Sequence, residues 1–424
     1  MSHTELQKDK LKNGVTKGSG IIASIISGKH KEIFIVALIF FIALAIRIKF
    51  AWPGLIGTQG FLMGDDDDYY RLAISLLENG KFQDGNQLAY RMPVFPIFLA
   101  VIFKLFGKAP QNAIVFIVVI SALICVGTYF LGKIIFGQIV GLAAGLITAF
   151  DMSLIFHSRF LLSDIIFVFI VLFSFLLLEK FWNSPNVLFA ILLGIFWGLA
   201  TLIRVNFGFF IPLALLYLLL ISRSMNNNMF KYVGLIAFIV GSFWLIWIIR
   251  NYIVLGAFIP FTTAGGPTYH AIYNDISASQ QGLTNFGFFV DFQPAPLFSD
   301  MNELEIDRAF KILVINWIKG NPLIAIRIAF AQVFHLWKPI WIPTVEIPYI
   351  IVLVASVVGV IVSIKKNIFQ IRIWLLLTIC LTFLALITIG TPRYRLVLHP
   401  LFAILASYGL VHINRVLLRK IRHR

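Results

Sequence analysis

Charge is scarce in this chain. Only 13% of its 424 residues are Asp, Glu, Lys or Arg, against 59% hydrophobic, where an ordinary globular domain carries about a quarter charged residues. That scarcity excludes a soluble domain carried on a single anchor, because many apolar stretches reach or approach the ~20 residues needed to cross a bilayer. Cysteine is nearly absent. Cys125 and Cys380 both lie inside apolar runs, which excludes a disulfide framework and any CxxC or Cys/His metal spacing. No repeat of fixed period and no low-complexity linker divides the chain, and no segment is large and polar enough for a free-standing soluble domain. Acid is scarcer than base, with 19 Asp and Glu against 35 Lys and Arg and a net charge of +16. In a membrane protein such an excess belongs to cytoplasmic loops and does not imply a nucleic-acid partner.

What is present is a series of apolar spans. Residues 1–32 form a basic tail containing Lys8, Lys10, Lys12, Lys17, Lys29 and Lys31. The apolar run Ile33–Ile46 follows without a small-residue cleavage site, the pattern of an uncleaved signal anchor, with a tail suited to an anionic lipid surface. Spans are expected near 33–51, 112–132, 138–157, 164–182, 186–203, 206–222, 231–249, 347–364, 373–391 and 396–414. Pro93–Phe106 and Leu323–Trp337 are shorter; at ~1.5 Å per residue the first reaches only about 20 Å as a helix. If neither crosses, Lys133, Lys180, Arg223, Lys231, Lys365, Lys366, Arg372 and the tail Arg415–Arg424 all fall on the side of the basic N-terminus. Most acids fall opposite, as the positive-inside rule requires. The expectation is an all-α polytopic membrane protein of about ten transmembrane helices plus outer-face interfacial helices. Both termini are then cytoplasmic, and residues 33–424 form one transmembrane domain with outer loops 52–112 and 250–346.

Against this background four consecutive aspartates, Asp65–Asp68, stand out, because like charges near a bilayer are costly. They open a segment in which Tyr69, Leu72, Ala73, Leu76 and Leu77 recur at helical spacing, ending at Gly80. This is one face of a surface helix. One aspartate could serve as helix N-cap, with others favoured by the helix dipole; four exceed what capping explains. A carboxylate there could instead act as a general base at the membrane surface. Basic residues share the expected face: Arg91 before Pro93 and Pro96, Arg204, Arg250-Asn251-Tyr252, and Arg393-Tyr394-Arg395 after Pro392. Arginine grips phosphate with a planar fork. Singly each could be a snorkelling side chain or lipid contact; together on the acidic face they point to a membrane-embedded anion such as a polyprenyl phosphate. Asp164 opens a span on this face, as a helix N-terminal residue or a second site carboxylate. His270, in Gly265-Gly266-Pro267-Thr268-Tyr269-His270, is a candidate for a substrate or metal contact, although a lone loop histidine is more often neither.

These motifs, in this order, resemble the GT-C superfamily of membrane glycosyltransferases, in the glycosyltransferase 39 branch of protein O-mannosyltransferases and the lipid A aminoarabinose transferase. The resemblance covers nearly the whole chain. In that family an acidic pair opens the first outer loop four residues before Tyr-x-x-x-Ala. Tyr69 and Ala73 match, which implies Asp65 as catalytic aspartate and Asp66 as second acid, where many members have Glu. Arg91-Met92-Pro93-Val94-Phe95-Pro96 resembles the motif supplying a lipid-phosphate contact, with Met92 where many members have Pro. Ser158-Arg159-Phe160-Leu161-Leu162-Ser163-Asp164 resembles the second acidic motif. Arg250-Asn251-Tyr252 with Gly256, Phe258 and Pro260 resembles the start of the large outer loop, and Arg393-Tyr394-Arg395 with Pro400 the final motif.

The resemblance implies a GT-C-like fold in the bacterial inner membrane and an inverting transfer of sugar from a polyprenyl-phosphate donor to a lipid, protein or glycan acceptor at the outer face. It implies Asp65 as base, Asp66 and Asp164 as companions, and Arg91, Arg393, Arg395 and, more weakly, Arg204 as phosphate clamps. Arg250, Asn251, Tyr394 and His270 are implied as substrate-loop residues. A phosphate diester is already a good leaving group, so one base and charge-stabilising arginines suffice, in contrast to the two carboxylates of glycosidases. No cofactor is required by this scheme, although carboxylate oxygens suit a hard cation such as Mg²⁺ or Mn²⁺. The rival readings are a transporter or flippase of lipid-linked sugars and a noncatalytic lipid-binding scaffold. Transporters place ionisable residues at mid-membrane, whereas these spans are almost free of charge.

Overall fold

A computed structural model describes residues 30–57, 64–222, 228–279, 301–338 and 343–422. The basic tail up to Lys29, Arg223, and the acids Asp291 and Asp300 lie outside the described residues. Within them the chain is helical, with no named strand; Asp84 and Gln87 form an isolated antiparallel bridge.

Among the described residues seven helices are long and apolar enough to cross a membrane: α1 (His30–Leu55), α4 (Pro110–Phe136), α7 (Asp164–Asn183), α10 (Asn228–Leu255), α15 (Pro343–Lys365), α16 (Phe369–Ile387) and α17 (His399–Arg422). Three shorter apolar helices, α5 (Gln138–Ala149), α8 (Val187–Ile203) and α9 (Asn206–Ser222), occupy the other expected spans. The remaining helices are α2 (Asp65–Asn79), α3 (Val94–Phe106), α6 (Met152–His157), α11 (Gly265–Ile272), α12 (Asp275–Ser279), α13 (Glu303–Gly320) and α14 (Pro322–Trp337). A 3₁₀ turn, Pro392–Leu398, leads into α17.

One expected span departs from its sequence reading. The stretch 138–157 is a helix only to Ala149; the chain breaks there and restarts as α6. Asp151 causes the restart, because its carboxylate accepts from the Leu154 amide at 2.9 Å, an N-cap. The carbonyls left at the end of α5 are taken by Arg47, which donates to Ala149 O at 3.1 Å, to Thr148 O at 3.3 Å and to Ser121 Oγ at 2.7 Å. A fully buried arginine thus closes an otherwise unsatisfied helix end. Leu323–Trp337, expected as a lone interfacial helix, is the second arm of a bent pair. α13 and α14 meet at 112°, where Pro322 starts the new helix.

Lipid tails are as apolar as leucine, so close packing rather than water exclusion holds such a bundle together. Two glycines show it. A Cβ on Gly141 of α5 would lie 2.5 Å from Tyr129 O of α4, and one on Gly359 of α15 would lie 2.0 Å from Leu405 O of α17. Polar ties reinforce the packing: buried Trp197 of α8 donates to Ser174 Oγ of α7 at 3.2 Å. Many large apolar side chains outside the core remain exposed, among them Phe238, Ile253 and Leu323, as expected of a lipid-facing surface.

Candidate active site

Helix α2 starts after Gly64, whose φ of 72° no bulkier residue adopts readily. Gly64 is the N-cap and no side chain caps the helix. The expectation that one of the aspartates serves as N-cap is therefore corrected. All four sit in the first turn, where the helix dipole favours negative charge, and helical phase sorts them. Asp65 and Asp68, three residues apart, share a face and both meet Arg91, with Nη2 at 2.5 Å from Asp65 Oδ1 and 2.6 Å from Asp68 Oδ2. Asp67 pairs with Arg71, one turn on, and Asp68 also reaches Arg71 at 2.9 Å. Asp66 turns inward and is 5% exposed; among the described residues no side chain pairs with its carboxylate.

The far end of the chain completes the cluster. Arg393, in the 3₁₀ turn, donates from Nη1 to Asp65 Oδ2 at 2.7 Å and from Nε to Asp164 Oδ2 at 2.6 Å. Asp164, the first residue of α7 and 1% exposed, also accepts from Arg204 Nη2 at 2.6 Å, where Arg204 closes α8. Acids and bases alternate along one connected chain: Asp68, Arg91, Asp65, Arg393, Asp164, Arg204. Its members come from α2, the approach to α3, the start of α7, the end of α8 and the turn before α17, so all these ends converge at one end of the bundle. Tyr394 lies beneath the Arg204 guanidinium at 5.2 Å, and Tyr69 faces that of Arg91 at 5.4 Å.

The electrostatics separate the two neighbouring acids. Burial alone would raise Asp65, but Arg91 and Arg393 outweigh it and hold the carboxyl well below the ordinary carboxylate range. Burial pushes Asp66 up to about 7, with Asp65 and Asp164 adding to the rise and Arg393 opposing it. Burial likewise holds His157 below its ordinary value, against the pull of Asp164; its Nδ1 lies 2.7 Å from Ser153 O.

Four residues expected at the site stand elsewhere. Arg395 is fully buried and donates to the carbonyls of Leu336 and Lys338 at 2.7 and 2.6 Å, over the Tyr349 ring. Its fork is directed to the end of α14, away from the carboxylates. Arg250 donates to Leu88 O and Phe82 O at 2.6 and 2.8 Å, and Asn251 to Ile259 O and Phe261 O at 3.0 and 3.2 Å. They tie the loop before Arg91, and the loop after α10, to the end of α10. His270 on α11 packs on Phe310 of α13 at 4.9 Å.

Sequence reasoning missed Asp68 as a member of the ion-pair chain and Arg71 as its further partner, and gave no role to Glu303. Glu303, 8% exposed, accepts from the Leu88 and Ala89 amides at 2.7 and 3.2 Å and from Thr263 Oγ1. It fixes the strand of chain that carries Arg91. The capping box of Asn302 and Glu305 was legible as a motif; the burial of the acid between those residues was not. Asp65, Asp67, Asp68 and Asp164 do not fit the Mg²⁺ or Mn²⁺ alternative, because their oxygens face arginines. Among the described residues no three His, Cys, Asp or Glu side chains are placed to hold a metal.

Residues 91–247 match the sequence family described as dolichyl-phosphate-mannose-protein mannosyltransferase. No curated protein matches the chain in sequence. Among solved structures, the oligosaccharyltransferase of Archaeoglobus fulgidus in the apo form aligns with TM-score 0.55 and 15% identity over 92% of this chain and 52% of its own. The same archaeal enzyme, AglB, in complex with an inhibitory peptide and a dolichol-phosphate, aligns with TM-score 0.55 and 14% identity, over 92% and 52%. ArnT from Cupriavidus metallidurans bound to undecaprenyl phosphate aligns with TM-score 0.50 and 14% identity over 89% of this chain and 59% of its own. This chain thus spans about half the length of the oligosaccharyltransferase it matches. The apolar helices of membrane-crossing length and the order in which they align with these solved structures identify the chain as an integral membrane protein with a GT-C-like fold.

Proposed function

We propose that this protein is an inverting glycosyltransferase that moves a sugar from a polyprenyl-phosphate donor to an acceptor at the outer face of a bacterial inner membrane. The observation that carries the reading is Asp65 held between Arg91 and Arg393 at 2.5 and 2.7 Å. A carboxylate and two guanidinium forks thus meet at one point among helix ends. Solved relatives bound to dolichol-phosphate and to undecaprenyl phosphate support a lipid phosphate as the ligand of such forks.

In this reading the donor phosphate competes with Asp65 for Arg91 and Arg393. Once the forks turn to phosphate, Asp65 loses the charges that hold its proton affinity down and becomes a base able to take the acceptor proton. The acceptor oxygen attacks the anomeric carbon as the bond to phosphate breaks. The electron pair leaves on the phosphate, where the arginines stabilise it. Asp164 positions Arg393 and Arg204 rather than touching the reacting atoms. Arg250 and Glu303 position Arg91 through its loop, and Asn251 holds the loop after α10. The basic ends of the inner loops support cytoplasmic termini. The test is reconstitution of the purified chain with undecaprenyl-phosphate-linked sugars, with mass spectrometry of the products and NMR of the new anomeric centre. Transfer with inversion is expected; flipping of the donor without transfer would favour a flippase.

A further inference from the structure

Next to the ion-pair chain, along the α2 face that carries Arg71, lies an open cavity of about 380 Å³, within the range of ligand pockets, roughly 300–1,000 Å³. One wall is the α2 face carrying Tyr70, Arg71 and Asn79, and the other is the loop with Gln83 and Asp84. That loop is built rather than draped. Ser75 Oγ donates to Lys81 O at 3.0 Å, Arg71 Nε to Asp84 Oδ1 at 2.8 Å, and Asp84 and Gln87 exchange two backbone hydrogen bonds at 2.9 Å.

The charges lining the cavity are already spent. Arg71 pairs with Asp67, Asp68 and Asp84, and Lys108 with Glu78 across the rim at 2.5 Å. What remains on offer is uncharged: the amides of Gln83 and Asn79 and the hydroxyl of Tyr70. Among the described residues none of these three side chains makes a hydrogen bond. Carboxamides that donate and accept, with an amphipathic aromatic ring, match vicinal hydroxyls. A phosphate or carboxylate ligand would find no unpaired cation. The cavity is also wired to the reaction centre, since Asp68 is shared between Arg71 and Arg91.

We propose that this cavity is a subsite for an uncharged saccharide, the glycan portion of the acceptor, on the α2 face next to Asp67 and Asp68, which pair with Arg71 of its lining. As an acceptor assignment it rests on the glycosyltransferase reading; as a saccharide site it does not. The experiment uses the full chain in nanodiscs and saturation-transfer NMR with maltose, mannobiose and diacetylchitobiose as probes. At least one is expected to give a signal that Gln83→Ala and Tyr70→Ala each lower by roughly 2- to 10-fold, the worth of one lost hydrogen bond. Inorganic phosphate should not compete, and both variants should bind undecaprenyl phosphate like the parent, which shows that they are folded. Silence from all three saccharides, a signal indifferent to both substitutions, or competition by inorganic phosphate or by a neutral peptide would overturn the proposal. Saccharide binding without undecaprenyl phosphate binding would retain the subsite and refute the transferase reading.

Discussion

Asp65→Asn should separate binding from chemistry. In the unliganded protein Asp65 holds Arg91 at 2.5 Å and Arg393 at 2.7 Å, with the side chains 22–23% exposed. Exposed ion pairs contribute about 0.2–1 kcal/mol, and breaking a buried pair costs about 3–5 kcal/mol. A largely but not fully buried carboxylate on two arginines therefore holds them by about 1–3 kcal/mol. A lipid phosphate must displace that hold. At 1.4 kcal/mol per tenfold, removing the carboxylate charge should tighten undecaprenyl phosphate binding by roughly 5- to 150-fold. Loss of the base should at the same time lower sugar transfer by about 10²–10⁴-fold. The assay is calorimetric titration of the nanodisc protein with undecaprenyl phosphate, paired with transfer from a radiolabelled donor. Unchanged or weaker binding would refute the idea that phosphate and Asp65 share the arginines. Transfer within tenfold of the parent would remove Asp65 from the chemistry.

Two further outcomes follow from the same geometry. The Asp66 carboxyl is raised to about 7 from 3.8, chiefly by burial, so the folded state holds a proton that the unfolded chain has already released between those values. Stability from this group is complete below about pH 4 and lost as pH rises to 7; Asp66→Asn should gain on the parent across that window, on the order of 4 kcal/mol at most. Denaturation in detergent at pH 5 and pH 8 checks it, and an equal gap at both would contradict the assignment. Arg395→Ala removes the donors to Leu336 O and Lys338 O and leaves a void under Tyr349. About 2–4 kcal/mol of stability should be lost with undecaprenyl phosphate affinity kept; a selective loss of affinity would restore Arg395 as a phosphate contact.

The pair Arg393 and Arg395 shows where sequence reasoning stopped. As letters in Arg-Tyr-Arg they are equivalent candidates. The 3₁₀ turn has about three residues per turn, so side chains two apart point in different directions, and one reaches Asp65 while the other reaches the end of α14. The four aspartates divided for a similar reason. Helical phase could be read from Tyr69, Leu72 and Ala73, but which carboxylate met which arginine depended on loops fixed by Glu303 and Arg250, more than 150 positions from the residues they hold. The span 138–157 looked continuous because its hydropathy is; the break came from Asp151, whose partner His399 lies 248 positions away.

The sequence by itself determined that this chain lives in a membrane, because runs of apolar residues have no other stable environment, and that the candidate acids and arginines lie near the ends of apolar spans, where charge is best tolerated. It also placed the surface helix that carries the aspartates. Only the tertiary structure decided which charges face each other. Asp65 and Arg393 are 328 positions apart, and nothing in local propensity selects a partner at that distance. That choice is made where the ends of α2, α7 and α8 and the turn before α17 are packed within one hydrogen bond of each other.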